Sequence, residues 1–397
     1  MEGHYVTQVV VHPDDVAPEA WNALLASQTG GGASGPFMRH EYLAALHQSG
    51  SAVAETGWTP CWVLLWQGER LSAAAPLYAK AHSYGEYVFD WAWANAYAEH
   101  GLAYYPKGLV AVPFTPVTGP RLLAVDSEAR DALIQAMRKL ATAQNWSSLH
   151  VLFAPHGDIE AARNREWMRR QTVQFHWRNR HPGEDERPFL DFDDFLASLS
   201  QDKRKKIRQE RRKVADAGIV FKARRGQDIS ASDWAFFYAC YAQTYWEHGN
   251  RPYLQPGFFE AMARDLPDYW VLFTAYAPSG EAVACSLVAL SDASAQPVAA
   301  YGRYWGALQR VDCLHFEACY YQPLQWCIEH GVSRFEGGAQ GEHKMARALL
   351  PIATESAHWL AHPAFADAVD RFLQREGEGV QRYIEHLENR NPFRAVP

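Results

Sequence analysis

The sequence predicts a mixed α/β protein built as two tandem domains with a cleft between them. Three observations carry that prediction. The chain has 397 residues, more than one hydrophobic core usually supports, and its apolar content of 48% is enough for two. Stretches with helical and strand-like periodicity alternate along it. It also echoes itself. Pro36-Phe37-Met38 followed by Tyr42 to Leu46 answers Pro252-Tyr253-Leu254 followed by Phe258 to Met262, 216 residues later. Trp62 to Leu65 with the turn Gly68-Glu69 answers Trp270 to Phe273 with Gly280-Glu281, the tryptophans being 208 residues apart. A helix, a strand, a Gly-Glu turn and a strand repeated at nearly constant separation argue for two copies of one unit, and paired units enclose a cleft.

Composition excludes several classes. No apolar run reaches bilayer length, and Met1-Glu2-Gly3-His4 lacks the basic and apolar start of a signal peptide, so the expectation is a cytoplasmic protein without integral membrane contact. The six cysteines, Cys61, Cys240, Cys285, Cys313, Cys319 and Cys327, form no C-x-x-C pair, which predicts reduced thiols packed as small hydrophobes and neither a disulfide framework nor a metal site. A net charge of -7 argues against DNA as a partner, and any affinity for phosphates must come from a local patch.

In chain order, Thr7 to Val11 alternates as a strand, and Pro18 to Ser27 has helical spacing with proline in its first turn before Gly30-Gly31-Gly32 breaks it. Arg39 to Gln48 is a second helix, Cys61 to Trp66 a strand, Gln67-Gly68-Glu69 a hairpin turn and Leu71 to Tyr78 the returning strand. Ser83 to Phe114 is unusually aromatic, with Glu86 and Asp90 among the rings, and reads as core with a polar edge. Pro120 to Val125 and Leu149 to Phe153 are strands around a capped amphipathic helix, Ser127 to Ala143. The composition then turns basic and polar from Ala161 to Arg187 around Pro182-Gly183, which places the domain boundary between Arg187 and Pro188. Domains of residues 1–187 and 188–397 result.

The second half opens with a short helix, Asp191 to Leu199, and the most charged segment, Gln201 to Val214. Arg204, Arg208 and Arg212 fall on one helical face, with Ile207 and Val214 as a narrow apolar anchor and Gly218 as the stop. Ile219 to Ala223 reads as a strand, Ser232 to Trp246 and Pro256 to Arg264 as helices, and Trp270 to Ala277 with Ala282 to Leu290 as a hairpin. Val298 to Trp305 is a strand, Leu314 to His330 a long helix and Arg334 to Glu336 a strand end. Beyond it, Gly337, Gly338 and Gly341 free the backbone to approach a ligand, among Glu336, Gln340, Glu342, His343, Lys344 and Arg347. That concentration of polar chemistry marks a candidate site, with a solvated glycine turn as the plainer account.

The basic helix with Ser200, Arg204, Ile207 and Arg208, its glycine stop at Gly218, the strand end Phe335-Glu336-Gly337-Gly338 and the subsequent Lys344 resemble the FemABX-like, tandem GNAT-type acyltransferases. S-Y-G-E-Y-V-F-D-W-A-W (Ser83 to Trp93), L-H-F-E-A-C-Y-Y-Q-P (Leu314 to Pro323) and F-E-G-G-A-Q-G-E-H-K (Phe335 to Lys344) are similar to the FemAB-like family linked to peptidoglycan biosynthesis or recognition. The resemblance implies two GNAT-like domains and transfer of an acyl or aminoacyl group to an amine, with acyl-CoA or aminoacyl-tRNA as a donor substrate, no tightly bound cofactor and a muropeptide precursor as acceptor. The chain departs from the pattern in two ways. It has no long heptad segment matching the helical arm of FemABX transferases, and Gly306 to Cys313, where the GNAT pyrophosphate signature belongs, lacks its glycines.

Acyl transfer to an amine needs a neutral nucleophile, donors for the developing oxyanion and an acid for the leaving group. The expected catalytic residues are Glu317, His343 and Lys344. Glu317 or His343 takes the amine proton, and Lys344 with Arg303 holds phosphate or carboxylate groups of a substrate. His315, Glu336, Gly337, Gly338, Gln340 and Glu342 are expected around the substrate, with Arg204 and Arg208 toward a nucleotide or tRNA and Glu86 and Asp90 facing the cleft. For Glu317 a dipole-stabilised helix start, for the arginines a solvated face, and for Glu86 and Asp90 buried structural carboxylates remain open beside these readings. A recognition protein that has lost catalysis, or a structural partner in a biosynthetic complex, are the other classes considered.

Overall fold

The computed structural model describes residues 5–28, 35–182, 186–338 and 341–394. Gly30 to Gly32, Gly183 and Gln340 lie outside them. The chain divides into two compact units, where the sequence reading placed one boundary after Arg187. Unit 1 runs to Thr172 and resumes over Ala353–Tyr383, and unit 2 covers Val173–Ile352 and continues from Ile384. Of the three crossings two lie inside strands and the third inside the last helix, so all three interrupt regular elements and none is a separate linker.

Unit 1 holds β1 (Val6–Val10), α1 (Pro18–Gln28), α2 (His40–Gln48), β2 (Trp58–Pro60), β3 (Trp62–Gln67), β4 (Arg70–Ala75) and β5 (Leu77–Lys80). It continues through α3 (Trp91–Glu99), β6 (Lys107–Val110), β7 (Leu123–Ala124), α4 (Ser127–Ala143), β8 (Ser148–Leu152) and α5 (His156–Arg163). One sheet has the order β1-β3-β4-β7, and β2, β5, β6 and β8 are successive neighbours in the other. The strand expected from Leu71 to Tyr78 is cut at Pro76, which has no N–H for the ladder. Helix α4 starts where Asp126 accepts from the Ala129 amide, and its stripe Ala129, Leu133, Ile134, Met137 and Ala141 packs with Leu65, Ala73, Ala75 and Val151.

The chain leaves unit 1 within β9 (Met168–Arg178), which occupies part of the stretch read as a polar junction. Unit 2 then builds α6 (Phe192–Ser198), α7 (Gln201–Asp216), β10 (Val220–Arg225), α8 (Ala231–Glu247), α9 (Pro256–Asp265), β11 (Trp270–Tyr276), β12 (Ala282–Leu290) and β13 (Ala299–Ala307). A short α10 (Leu314–Phe316) passes through a π-helical turn (Glu317–Tyr321) into α11 (Gln322–Glu329), and β14 (Arg334–Glu336) comes next. The sheet order is β10-β11-β12-β13-β14-β9, antiparallel throughout except for the parallel pair β13 and β14. The repeated segments occupy equivalent elements: α2 then the antiparallel pair β3 and β4 in one unit, and α9 then β11 and β12 in the other. Each unit also holds one parallel pair, β6 with β8 and β13 with β14. Beyond Pro351, where the sequence reading assigned nothing, lie β15 (Leu350–Leu360), paired with β8 through Ser356 to Leu360, and α12 (Pro363–Glu388).

In unit 1 the segment carrying α3 covers a row of buried ionisable groups. Lys107 Nζ donates to Ser83 Oγ at 2.8 Å and Glu86 Oε2 at 2.8 Å, and it pairs with Asp90. Tyr104 OH donates to Asp90 at 2.6 Å, and His150 Nδ1 lies 2.7 Å from His358 Nδ1. Burial lifts Glu86 to about 7 against the pull of Lys107; for Asp90, Lys107 and His150 overcome burial and hold it at about 2. Glu86 and Asp90 are 4% and 3% exposed, so they neutralise Lys107 and are not open to a ligand, contrary to the expectation that they face a cleft.

Burial pushes His150 down to about 3 and His358 well below its ordinary value, with nearby cations adding to both shifts. The folded histidines stay neutral while an unfolded chain takes up protons below about 6.5, so stability is present above that pH and lost as pH falls through it. Between pH 7.5 and 5.5 the unfolding free energy should drop by about 1.4 kcal/mol for each, roughly 3 kcal/mol for the pair. The difference in pH dependence of urea unfolding between the wild type and the double variant His150→Gln, His358→Gln isolates the pair from raised carboxyls such as Glu86, and the same dependence in both would show that the pair is not held neutral.

Candidate functional site

The site begins with a strand that loses its neighbour. β13 pairs with β12 over most of its length, with a register shift at Leu287/Val288, but keeps β14 only for Ala299 with Arg334, Ala300 with Phe335 and Tyr301 with Glu336. β14 ends there because Gly337 and Gly338 turn the chain away. Gly338 sits at φ +83°, and the Gly337 amide donates to Phe175 O at 3.1 Å. A Cβ on Gly337 would stand 2.3 Å from Leu349 Cδ2, whose residue is fully buried and has no room to give. Past Tyr301 a cavity of about 300 Å³ opens, lined by Arg303, Tyr304 and Trp305 of β13, by His315, Cys319 and Tyr320, and by Gly337, His343 and Lys344.

Among the described residues no aspartate or glutamate lines this cavity. Lys344 is 5% exposed, donates from Nζ to Gly338 O at 3.1 Å, and has no carboxylate at ion-pair distance among the described residues. Burial lowers its pKa to about 8. His343 Nε2 lies 3.1 Å from Tyr320 OH, and burial with Arg347 and Lys344 beside it lowers its basicity. His315, edge-on to Trp305 and Tyr320, is pushed to about 4 by burial and the same cationic neighbours. Arg303 lies with its guanidinium 5.1 Å over the Tyr304 ring. Of the expected residues, Arg303, His315, Gly337, His343 and Lys344 therefore meet at one cavity, and Gly338 supplies a carbonyl to it.

Others are elsewhere. Glu317 lines a separate cavity of about 730 Å³ together with Arg208, Arg211 and Arg212, correcting the expectation that it shares a trough with Gly337. Helix geometry is the reason: two residues apart, His315 and Glu317 point about 200° away from each other, so His315, Cys319 and Tyr320 face one cavity and Glu317 the other, where the π turn brings Gln322 beside it. The Glu317 carboxylate accepts from Gln322 Nε2 at 2.7 Å and Arg211 Nε at 3.2 Å, and burial outweighs Arg211 to raise its pKa. Strand alternation puts Glu336 on the opposite face from Phe335 and Gly337, where it accepts from Arg334 at 3.0 Å and burial raises it to about 7. Glu342 is exposed and paired with Arg390 at 3.1 Å, Arg208 is exposed 3.7 Å from Asp193, and Arg204 is half-exposed.

Sequence reasoning missed the clamp beneath the cavity. Arg347, 2% exposed, stacks 3.7 Å over the Phe316 ring and donates to His343 O at 2.8 Å and Glu210 Oε2 at 2.8 Å. Tyr321 OH also donates to Glu210, and Arg211 reaches Glu317 and Gln325. Glu210 and Arg211 sit in a charge run that reads as solvated, yet their spacing three and four residues after the buried Ile207 was the signal. Glu210→Ala leaves Arg347 buried without its counter-ion, so the unfolding free energy should fall by roughly 3–5 kcal/mol. Urea denaturation reads that loss, and a change below about 1 kcal/mol would place the pair in water instead.

Solved structures with a similar fold include FemX, at 11% identity over 89% of this chain and 98% of that one with a TM-score of 0.52. L-PGS from Bacillus licheniformis matches at 12% identity over 90% and 97% with a TM-score of 0.51. The C-terminal DUF2156 domain of a candidate lysylphosphatidylglycerol synthetase from Agrobacterium fabrum matches at 10% identity over 90% and 95% with a TM-score of 0.50. At these identities the likeness is one of fold. No functionally curated protein matches the chain in sequence. Among the described residues no helix is long and apolar enough to cross a membrane. The family model for peptidoglycan biosynthesis/recognition matches residues 12–395, and the chain belongs to that FemAB-like family.

Proposed function

We propose that this protein is an N-acyltransferase that moves an acyl or aminoacyl group from an activated ester or thioester to an amine of a peptidoglycan precursor, and that the reaction takes place in the cavity between β13 and β14. The observation that carries the reading is Lys344, a buried ammonium without a carboxylate partner among the described residues, in a cavity lined by no acidic side chain and beside unpaired strand backbone. Such a site stabilises negative charge that develops on a carbonyl oxygen. Membership of the FemAB-like family and the fold shared with FemX support the same reading.

In the step proposed, the neutral amine attacks the carbonyl carbon. The C–N bond forms, the carbonyl oxygen becomes an oxyanion next to Lys344, and the C–O or C–S bond to the leaving group breaks as the carbonyl reforms. His343, oriented by Tyr320 and by the hold of Arg347 on its carbonyl, takes the amine proton and returns it to the leaving oxygen or sulfur. Arg303 and His315 fix the substrate beside them. Glu317 acts at one remove, through Arg211 and α7. The donor is an acyl-CoA or an aminoacyl-tRNA, and the exposed cations of α7, including Arg204 and Arg208, offer the tRNA a phosphate-binding face.

Transfer from both donors to a muropeptide amine tests the proposal. Lys344→Met should cut the rate about 100-fold or more, equivalent to about 2.7 kcal/mol of transition-state stabilisation, while the fold remains intact. An unchanged rate removes Lys344 from the mechanism. Because Lys344 acts as an ammonium with a pKa near 8, the wild-type rate should fall as pH rises through that value, and Lys344→Arg should extend activity to higher pH. A rate flat across that range would contradict the charged role. The family description also covers recognition, so binding of the muropeptide with no transfer from either donor would favour a non-catalytic recognition protein.

A further inference from the structure

A second pocket in unit 2, open to solvent, lies on the other face of the sheet from the transfer cavity. Cross-strand partners point the same way, and Arg178 is opposite Arg334 while His176 is opposite Glu336, so both stand on the face away from Phe335 and Gly337. The space has a volume of about 320 Å³. Among its walls are Arg178 at the end of β9 and Arg180 just past it, Leu350 and Ile352 at the start of β15, and Glu388 and Phe393 near the end of the chain. Its size is at the small end of ligand pockets, about 300–1,000 Å³, which suits a small molecule.

An inventory of its charges narrows the ligand. Arg180 is committed to Glu186 at 2.6 Å, and His181, also in the wall, to Asp194 at 3.0 Å. His176 stays neutral, since burial and the neighbouring Arg334, Arg178 and Lys344 hold it near 3. Arg178 and Glu388 are left, each without a hydrogen-bonded or ion-paired side-chain partner among the described residues. One uncommitted cation and one uncommitted anion, both solvent-exposed, share a small space whose remaining wall is apolar at Ala348, Leu350, Pro351, Ile352 and Phe393 and polar at Asn391. The complement of that arrangement is a small zwitterion with an apolar body.

We propose that this space binds a free apolar α-amino acid, its carboxylate on Arg178, its ammonium toward Glu388 and its side chain against Leu350, Ile352 and Phe393. The site is separate from the transfer cavity and does not depend on transfer taking place there. Isothermal titration of the full chain with L-leucine, with 4-methylpentanoate (leucine without its amine) and with isopentylamine (leucine without its carboxylate) tests it. Leucine should bind saturably, and each half-ligand about ten-fold or more weakly. Arg178→Met should weaken leucine by about ten-fold or more, Glu388→Gln should abolish the preference for leucine over 4-methylpentanoate, and Lys344→Met should leave leucine binding unchanged. Absence of saturable leucine binding, equal binding by Arg178→Met, a preference that survives in Glu388→Gln, or loss of binding in Lys344→Met would each overturn the assignment.

Discussion

The parallel pairing of β13 with β14 stops after three residue pairs, and unit 2 is arranged around that early stop. Had β14 continued, its backbone would have satisfied the edge of β13 and filled the space between them. The pair Gly337-Gly338 ends it instead, one lying close against Leu349 and the other at positive φ. Three features depend on that opening: the turn that brings Lys344 back under β14, the placement of His343 on Tyr320, and the Arg347 clamp that ties this turn to α7. The helical segment preceding β14 presents one side to this cavity and another to the cavity of Glu317 and Arg211.

Lys107 and Lys344, both buried, are balanced in different ways. Lys107 in unit 1 is fully buried, and Glu86 and Asp90 balance it within a network of tyrosine, serine and histidine partners. Lys344 in unit 2 is nearly as buried and is balanced by a single carbonyl. Taking an ammonium out of water costs several kcal/mol unless it is paired. Around Lys107 that cost is offset by two carboxylates, whereas Lys344, like the fully buried Lys80 of unit 1, has no ion-paired carboxylate among the described residues, which is why burial lowers the two to about 8 and about 7. A site that keeps such a deficit is suited to a substrate that supplies negative charge.

The glycine-rich stretch and its neighbours were legible as a site because Gly337, Gly338, His343 and Lys344 are close in sequence, and local spacing brought them to one cavity. Glu317 was grouped with His315 because both start the same helix, but two residues apart on a helix point about 200° away from each other. Glu336 went astray because two adjacent residues of a strand face opposite sides. Glu210, Arg211 and Arg347 were overlooked as a clamp because their partners lie more than a hundred residues away, and no local pattern pairs them. Glu86 and Asp90 likewise took their meaning from Lys107.

By itself the sequence determined the mixed α/β class, the duplicated helix-and-hairpin unit and the place where a glycine pair ends a strand, because each rests on periodicity, turn chemistry or repetition within a short window. Only the tertiary structure decided that the chain passes between the two units within β9, β15 and α12, that one buried lysine is neutralised and another left uncompensated, and that a single helical segment serves two cavities. Those outcomes depend on which distant side chains share a desolvated space, and the strength of a charge interaction is set by that shared burial and not by order along the chain.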